Sequence, residues 1–344
     1  HSFLRSCAEV LKDAPSTLLR EHYRCHPKII QFCNHRFYGG ELIAMTKDSG
    51  EKDVLQVIRT VKGNHAREHF NQREIDVIVQ EVMPLCEDKG SVGIITPYRT
   101  QAEAINRVLG KDVASTVHKY QGRECDTIIM SMVDNLPTSF SDDKNLLNVA
   151  ISRAKSQLYI VTSGNEMPED TNIAQLISYA RYNNFAVKDS KIHSVFDLLY
   201  QQYTVERLAY QAEHAKVSNY MSENLVYDLL VKVLDELSWK NLSVVCHYPL
   251  SKIISDWSLL TSQEKDYAKN ALTHIDFLIY NSLTKQPMMA IEVDGWHYHN
   301  DKVVQQYRDR LKNQILEKYS LPPYRISTTD TITSEGLKEI FASL

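Results

Sequence analysis

Between residues 54 and 163, short apolar runs typical of strands alternate with runs that have helical spacing, and this alternation restricts the fold most. The strand-like runs are "VLQVIRTV", "SVGIITPY", "DTIIMSMV" and "QLYIVTS". The segments between them, "NQREIDVIVQEVMPLC", "RTQAEAINRVLG" and "LLNVAISRAK", place apolar residues on one helical face. Since strands separated by helices do not pair as hairpins, the pattern predicts a parallel, doubly wound α/β sheet.

The pattern changes after Ser163, where the polar run "GNEMPEDTN" begins. Residues from about 172 to 216 look helical and connecting. A strongly amphipathic helix follows at 222–237, with Ser222 as its expected N-cap. From there the order is helix, three strands, helix, strand, helix. We therefore expect one α/β domain at 1–165, a helical connector at 166–217 and a smaller α/β domain at 218–344.

Composition excludes some classes of protein. No apolar stretch reaches about 18 residues and no secretory signal is present, so we expect no membrane span. The six cysteines show no CxxC pairing, which favours reduced core thiols in a cytoplasmic protein over a zinc site. The net charge of −4 argues against wholesale coating of nucleic acid, but it allows a local basic groove. Because the chain begins at His1, we expect it to be part of a longer protein.

Three segments of the first half carry residues suited to ligand binding. "REHYRCHP" contains Arg24, and "NVAISRAK" continues into a helix with Arg153. In "STVHKYQGRECDTIIM", Gln121, Gly122 and Glu124 lie in the loop before a buried strand. Glycine lets a ligand approach the backbone, and open α/β sheets bind ligands at the carboxyl ends of their strands, where we expect this loop. Either arginine taken alone would more often be an ordinary surface residue.

Together with "GIITPYRTQ" at 93–101, these segments form four motifs in a fixed order. Over residues 15–163 the order resembles the second RecA-like domain of superfamily 1 helicases, in the group of the nonsense-mediated-decay helicase. The resemblance implies that Arg24 and Arg153 act as arginine fingers on the ATP γ-phosphate. It also implies that Glu124 binds the nucleotide ribose, in a loop shared with Gln121 and Gly122. The positions that correspond to the family's grip on the nucleic-acid backbone are Thr96, Tyr98, Arg99, Thr116 and His118.

The chain contains no GxxxxGK[ST] loop to bind phosphates, and no acidic Mg²⁺ motif precedes Arg24. In the family that the first half resembles, both motifs lie on the preceding RecA-like domain. We therefore expect the ATP site to be shared with that domain, as an N-terminal partner on the same native chain. By itself, the chain is expected neither to hydrolyse ATP nor to unwind a duplex.

In the second half, "IEVDGWHYH" ends an apolar strand with acids and histidines. Glu292 and Asp294 are two residues apart, so they project to the same face of a strand. Antiparallel pairing with the strand that begins near Asp276 would bring the three carboxylates to one end of the sheet. Their repulsion favours a bound cation, and oxygen ligands suit Mg²⁺ or Mn²⁺, which can activate water. The acids could instead be solvated strand caps, or His297 and His299 could bind zinc.

Residues 218–330 resemble the PD-(D/E)xK nuclease superfamily, closest to the branch of very-short-patch repair endonucleases. The resemblance depends on Asp276-Phe277, on the strand end at 292–299 and on the "RDRLK" helix. It implies a restriction-endonuclease-like fold in which Asp276 is the principal metal ligand and Glu292 is the acidic member of the signature. Glu223 would complete the metal site, and His299 matches the catalytic histidine of that branch.

One position departs from the superfamily: Asp294 stands where the catalytic lysine is expected. The role of that lysine would then pass to His299, to Arg308 or Lys312, which we also expect to contact nucleic acid, or to a second metal. The combined motifs predict the C-terminal part of a DNA helicase–nuclease. Two alternatives stay open: a degenerate nuclease fold that binds nucleic acid without cutting it, and a helicase that acts on RNA.

Overall fold

The computed structural model describes residues 3–12, 15, 17, 19–87, 89–199, 209–210, 213–214, 216–270, 272–295 and 302–344. Its strands are β1 Glu21–His22, β2 Ile43–Ala44, β3 Leu55–Arg59, β4 Val92–Thr96, β5 Ala114–Thr116, β6 Cys125–Ser131, β7 Ala154–Thr162, β8 Ala186–Asp189, β9 Leu242–Pro249, β10 His274–Asn281, β11 Pro287–Asp294 and β12 Pro323–Ser327. Its α-helices are α1 Phe3–Val10, α2 Pro27–Phe37, α3 Gln72–Val77, α4 Arg99–Leu109, α5 Lys144–Ile151, α6 Asn172–Tyr182, α7 Met221–Glu236, α8 Ser262–Lys269, α9 Lys302–Lys318 and α10 Ser334–Ala342. Each helix in these ranges is too short or too polar to cross a lipid bilayer.

The first sheet has six strands in the order β5-β4-β6-β7-β3-β8, and every neighbouring pair is parallel. This confirms the fold class that the alternating pattern predicted. Side chains of the inner strand β7 alternate between the two faces, as a fully covered strand requires. Leu158 and Ile160 belong to one apolar core, whereas Tyr159 and Val161 belong to the other.

Residues 166–217, which we expected to form a helical connector, also contain a strand. They supply α6, but Ala186–Asp189 is the edge strand β8, which pairs in parallel with β3. Four residues are too few to show a strand period in the sequence, so only the open edge of β3 reveals this strand. Arg59 Nη2 lies 2.6 Å from Asp189 Oδ1 across the pair.

The second sheet has four strands in the order β12-β11-β10-β9. Strands β9, β10 and β11 are antiparallel, and β12 joins β11 in parallel after helix α9. The antiparallel pairing expected for β10 and β11 is confirmed, since Phe277 pairs with Ile291. The expectation for Ser222 was wrong: Tyr220 occupies the N-cap of α7, and Ser222 lies inside the helix.

A 3₁₀ turn at Val195–Leu199 contacts both the domain of the first sheet and the domain of the second sheet. Asp197 forms a buried ion pair with Arg73 of α3, at 2.7 Å from Nη2, and Arg73 Nη1 also donates to the Ile192 carbonyl. The adjacent Phe196 is fully buried in the core of the second domain. Val195 N donates to the Ile332 carbonyl at 3.1 Å. Neighbouring residues of one turn are therefore held by different domains.

A buried carboxyl group lies beside this seam, on α3. Glu74 is fully buried, and its Oε2 accepts hydrogen bonds from Ser131 Oγ at 2.7 Å and from Val133 N at 2.9 Å. Its Oε1 has no hydrogen-bond partner among the described residues. Burial raises the pKa of Glu74 to about 8. The side chain is therefore largely protonated at neutral pH.

This pKa predicts that the first domain loses stability as the pH rises. Between about pH 5 and pH 8 the folded state holds a proton on Glu74 that the unfolded state has released, so the free energy of unfolding falls by roughly 3–5 kcal/mol. Glu74→Gln should remove most of this fall. Denaturant unfolding at pH 5.5 and 8.5, followed by circular dichroism, measures it. The exposed control Glu103→Gln should keep the wild-type slope; equal slopes for both variants would contradict the prediction.

Candidate functional site

Two charged side chains expected at the ATP site, Arg24 and Glu124, lie together with a third, Lys155, that was not predicted. Arg24 Nε is 2.6 Å from Glu124 Oε2, and Lys155 Nζ is 2.9 Å from the other oxygen of the same carboxylate. Arg24 also donates from Nη1 to the Ser152 carbonyl, next to Arg153. The hydrogen bond from Lys155 is the main cause that lowers the pKa of Glu124. The structure thus brings the predicted nucleotide-binding acid between two cations.

The expectation that Arg153 lies on a helix was wrong: α5 ends at Ile151, and Arg153 lies in the turn before β7, where backbone hydrogen bonds fix its position. Cys125 N donates to the Arg153 carbonyl at 3.2 Å, and His26 N donates to the Lys155 carbonyl at 2.7 Å. Burial lowers the pKa of Arg153, and the charge of Arg24, which donates a hydrogen bond to the carbonyl of the preceding Ser152, adds to the effect. Two positive groups held close together, one of them partly desolvated, suit a polyanionic ligand.

The position of this cluster corrects one expectation. Glu124 directly precedes β6 and Arg153 directly precedes β7, so the cluster lies at the amino ends of these strands and not at carboxyl ends. The reason is topological. Strands β5 and β6 are both parallel to β4, and the loop that carries the motif connects the end of β5 to the start of β6. Residues 117–124 therefore run from the carboxyl end of the sheet to its amino end.

Gln121 and Gly122 lie on this crossing loop. Gly122 has a positive φ of 83°, a conformation that glycine adopts without strain. Gln121 lines a cavity of about 290 Å³ together with His118 and Phe140. The remaining lining consists of three apolar residues, Val117, Leu146 and Val149, and three polar ones, Ser139, Asp143 and Asn145.

The candidate nucleic-acid residues divide into surface and buried groups. Tyr98 stacks on His69 with ring centroids 4.1 Å apart, and its hydroxyl donates to Asp134 Oδ2. Arg99 is exposed and forms an ion pair with Glu103. Thr96 is only 1% exposed, and its Oγ1 has no hydrogen-bond partner in the described structure. Its hydroxyl therefore does not reach the surface in this conformation.

Basic residues that the motifs did not indicate lie near Thr116. Lys119 and Arg123 line a cleft of about 560 Å³ with Arg99 and Thr116. Phe140, 5.5 Å from the buried Tyr98 between ring centroids, is an exposed aromatic side chain at this end of the sheet. These residues lie outside the quoted motifs or at their less informative positions, so the sequence alone gave little reason to select them.

One group of three potential metal ligands with close ligand atoms occurs in the described ranges: His26, Asp48 and Glu51. His26 Nε2 is 3.1 Å from Glu51 Oε2, and the ammonium of Lys28 is 3.1 Å from Asp48 Oδ2. His26 also caps helix α2 through its Nδ1. Since Lys28 already supplies positive charge, the group is explained as an anchor for the loop before β3.

In the second domain, one row of polar residues crosses the sheet near the strand ends. Glu292 of β11 pairs with Arg325 of β12. On the other side of β11, Phe277 of β10 pairs with Ile291, so the same antiparallel register places Asp276 opposite Glu292. Asp276 Oδ2 accepts a hydrogen bond from Val293 N at 2.8 Å. Burial raises the pKa of Asp276. The structure thus places two of the predicted acids side by side and removes both from bulk water.

A lysine completes this row from helix α9. Lys312 Nζ lies 2.6 Å from Glu292 Oε2, and the two side chains are only 12% and 6% exposed. The second oxygen, Oε1, is buried and has no hydrogen-bond partner among the described residues. Burial, followed by the charge of Asp276, raises the pKa of Glu292 to about 7. Lys312 is thus a buried partner of the acid and not an exposed contact for phosphate.

The other predicted residues of this domain have different surroundings. Asp294 Oδ1 is 2.7 Å from Arg325 Nη1, so its carboxylate is neutralised within the protein. Arg308 is exposed on α9. His299 lies outside the described residues, and so do the rest of residues 296–301.

Glu223 approaches the row from the first turn of α7. Its Oε2 lies 2.9 Å from His247 Nε2, and His247 is in edge-to-face contact with His274, 4.9 Å between ring centroids. These three side chains line a cleft of about 550 Å³ with Lys216, Val217, Ser218, Asn219 and Tyr220. The ligand atoms of Glu223, Asp276 and Glu292 do not all lie within 4.8 Å of one another in the described structure. The two histidines were not selected from the sequence.

Comparison with known proteins agrees with the division into two sheets. A family model described as "AAA domain" matches residues 2–165, and one described as "Protein of unknown function (DUF2726)" matches residues 217–343. An uncharacterized ATP-dependent helicase of Methanocaldococcus jannaschii is 27% identical over 194 residues, which cover 48% of this chain and 29% of that protein. The mouse 5'-3' DNA helicase ZGRF1 is 31% identical over 169 residues, 42% of this chain and 9% of that protein.

Residues 2–165 are thus similar to an AAA domain, and the relatives that match this chain are helicases. The chain spans less than a third of the length of either relative. One solved structure that matches is a crystal structure of the C-terminal domain of a possible DNA helicase from Lactobacillus plantarum WCFS1. It is 17% identical, with a TM-score of 0.34, and the match covers 48% of this chain and 98% of that one. Within residues 2–165, the Arg24–Glu124–Lys155 cluster and the cleft lined by Arg99, Thr116, Lys119 and Arg123 are the two candidate sites.

Proposed function

We propose that the chain is the C-terminal part of a DNA helicase–nuclease, in which the first domain contributes one wall of an ATP-driven motor and the second cuts DNA with a divalent cation. The observation that supports the nuclease most is the buried Glu292–Lys312 pair beside Asp276. Two buried acids and a lysine near one strand end form the usual chemical set for metal-dependent phosphodiester hydrolysis.

The motor role is supported by the assembled cluster at the amino ends of β6 and β7. Arg24 and Arg153 would contact the ATP γ-phosphate, and Glu124 would hold the ribose once the phosphate-binding RecA-like domain is present. The phosphate-binding loop itself is not encoded in these 344 residues. The isolated chain should therefore show no ATPase activity above background, with or without Arg153→Ala.

The acids of the second domain fit a divalent cation. Glu292 Oε1 is a buried carboxylate oxygen with no hydrogen-bond partner in the described residues, and such an oxygen is costly unless a cation or proton satisfies it. Asp276, Glu292 and Glu223 would hold Mg²⁺ or Mn²⁺. When bound, the cation would lower the pKa of a water molecule and offset charge on the phosphodiester.

Lys312 can take the role of the catalytic lysine, which the nuclease superfamily has at the position of Asp294. Its ammonium is fixed by Glu292 at the same end of the sheet, although it comes from a helix instead of from the strand. A buried ammonium there would position a water molecule and offset negative charge as the phosphodiester bond breaks. Asp294, paired with Arg325, would hold α9 and β12 in place.

A non-cleaving binding domain is the second candidate, and one observation favours it. Lys312 and Arg325 neutralise Glu292 and Asp294, so part of the acidic charge at the sheet end is already balanced without a metal. In that case the domain would bind nucleic acid through the cleft beside Glu223 and would not cut it.

A cleavage assay tests the proposal. The chain is incubated with supercoiled plasmid, single-stranded DNA or RNA, in Mg²⁺, Mn²⁺ or EDTA. We expect cleavage of DNA only with a cation, and a loss of at least about 100-fold in Asp276→Asn and Glu292→Gln. Asp256→Asn, an exposed acid of the same domain, is the matched control and should keep the wild-type rate. Binding without cleavage in both metals would favour the binding domain, and faster cleavage of RNA would overturn the choice of DNA.

A further inference from the structure

We infer that His274 supplies a nitrogen ligand to the cation held by Asp276, so that this site prefers Mn²⁺ to Mg²⁺. The inference deepens the proposed nuclease site and requires from it only that a cation binds at Asp276. It assigns a role to a histidine that the sequence motifs did not indicate.

Hydrogen bonding fixes which nitrogen of His274 faces the acid. Nδ1 lies 2.9 Å from the Leu272 carbonyl oxygen. A carbonyl oxygen only accepts hydrogen bonds, so Nδ1 carries the proton and Nε2 of the neutral ring presents a lone pair. Metal-binding histidines commonly have this arrangement, in which a backbone carbonyl orients the ring through the nitrogen that does not bind the metal.

The lone pair faces an oxygen that also carries negative charge. His274 Nε2 is 3.8 Å from Asp276 Oδ1, whereas Oδ2 is occupied by the hydrogen bond from Val293 N. Two acceptor atoms at this distance repel each other unless something positive lies between them. With metal–ligand distances of about 2.1 Å, two ligands of one ion lie about 3.0 Å apart at a right angle and about 4.2 Å apart when opposed. The observed distance falls within that range.

The surroundings of this pair provide access and further ligands. His274 lines a cleft of about 550 Å³ together with Glu223 and His247, and this cleft opens the histidine to solvent. His247 contacts His274 edge to face, with 4.9 Å between ring centroids. The ligand atoms of Glu223, Asp276 and His274 do not all lie within 4.8 Å of one another in the described structure. A cation that binds all three residues therefore requires a change in the side-chain torsions of Glu223. Without a cation, the carboxylate of Glu223 is oriented by its contact with His247.

Ligand chemistry gives the metal preference. Mg²⁺ is a hard cation that takes oxygen ligands and keeps several waters, whereas Mn²⁺ lies on the transition-metal series that also accepts imidazole nitrogen. A site with one histidine and carboxylates should therefore bind Mn²⁺ at least about tenfold more tightly than Mg²⁺.

Manganese binding to the metal-free chain tests the inference without relying on activity. Calorimetry measures the Kd for Mn²⁺ and Mg²⁺, and pulsed electron paramagnetic resonance detects nitrogen coupled to bound Mn²⁺. All proteins carry Asp48→Asn, because His26, Asp48 and Glu51 offer a second set of ligands. We expect nitrogen coupling in the parent, its loss in His274→Ala, and Mn²⁺ binding weakened at least about tenfold while Mg²⁺ binding changes little. His35→Ala, an exposed histidine of α2, should match the parent.

The outcomes separate this inference from the proposed function. Nitrogen coupling that depends on His274, with no cleavage of any nucleic acid, would support the metal site and reject the nuclease. Cation-dependent DNA cleavage, with Mn²⁺ bound equally well by the parent and His274→Ala, would keep the nuclease and overturn the inference. If circular dichroism shows that His274→Ala is unfolded, His274→Gln replaces it, since glutamine keeps a polar group without an imidazole nitrogen.

Discussion

Lys312→Met should reduce the cation-dependent DNA cleavage that we propose for the second domain by about 10²–10³-fold, while that domain stays folded. The substitution keeps the length and apolar stem of the side chain and removes the ammonium that lies 2.6 Å from Glu292. A preorganised charge in a buried site typically contributes that much to the rate. Because burial already raises the pKa of Glu292 to about 7, the acid can take up a proton when its partner is lost. Single-turnover cleavage with saturating metal measures the effect.

The same helix offers a matched control. Lys318 also forms an ion pair with a nearly buried acid, Glu264, at 2.7 Å, but this pair lies at the last residue of α9, more than one helical turn beyond Lys312. Lys318→Met should change stability and leave the cleavage rate within about twofold. Lys312→Arg should recover part of the activity because it restores the positive charge. A Lys312→Met protein that cuts at the wild-type rate would show that the lysine has no role in cleavage.

Arg73→Ala should destabilise the chain by about 3–5 kcal/mol and should affect both domains. The substitution leaves Asp197 as a largely buried charge without its partner, which is far more costly than losing an exposed pair. The three tryptophans, Trp239, Trp257 and Trp296, all belong to the second half of the sequence. Tryptophan fluorescence during denaturation therefore reports the second domain, although the substitution lies in the first.

Two comparisons make this test specific. Arg59→Ala removes the exposed pair with Asp189 and should cost at most about 1 kcal/mol. In a double-mutant cycle, Asp197→Asn should cancel most of the loss caused by Arg73→Ala, because no unpaired charge is then left. If Arg73→Ala shifts the circular dichroism transition but not the tryptophan transition, the seam does not couple the two domains.

This seam is where a structural change in the first domain would reach the second domain. Arg73 and Glu74 are adjacent on α3; one holds the turn at Val195–Leu199 and the other bonds to the end of β6. Asp76 of the same helix accepts a hydrogen bond from Thr331 of the second domain. A shift of α3 relative to its sheet would therefore move its contacts to both Asp197 and the segment before α10.

The sequence alone determined the architecture, because periodicity is a local property. Buried parallel strands need continuous apolar runs and their crossovers need helical spacing, so the first sheet and the helix–strand order of the second were predictable. Motif order was equally informative: Arg24, Glu124 and Arg153 come from distant segments, and the resemblance selected them before the structure placed two of them in direct contact. A four-residue edge strand such as β8 carried too little pattern to predict.

Tertiary structure alone decided which charges meet. Glu292 and Lys312 are 20 residues apart, and nothing in the sequence shows that α9 crosses the sheet at the height of that acid. For the same reason Asp294, one strand period from Glu292, has Arg325 as its partner, and Thr96 is buried although its motif indicated a surface contact. His274 became a candidate ligand only because a carbonyl two residues away fixes its ring. Ionic and metal-binding contacts depend on distances of a few ångströms between remote segments, and periodicity contains no such information.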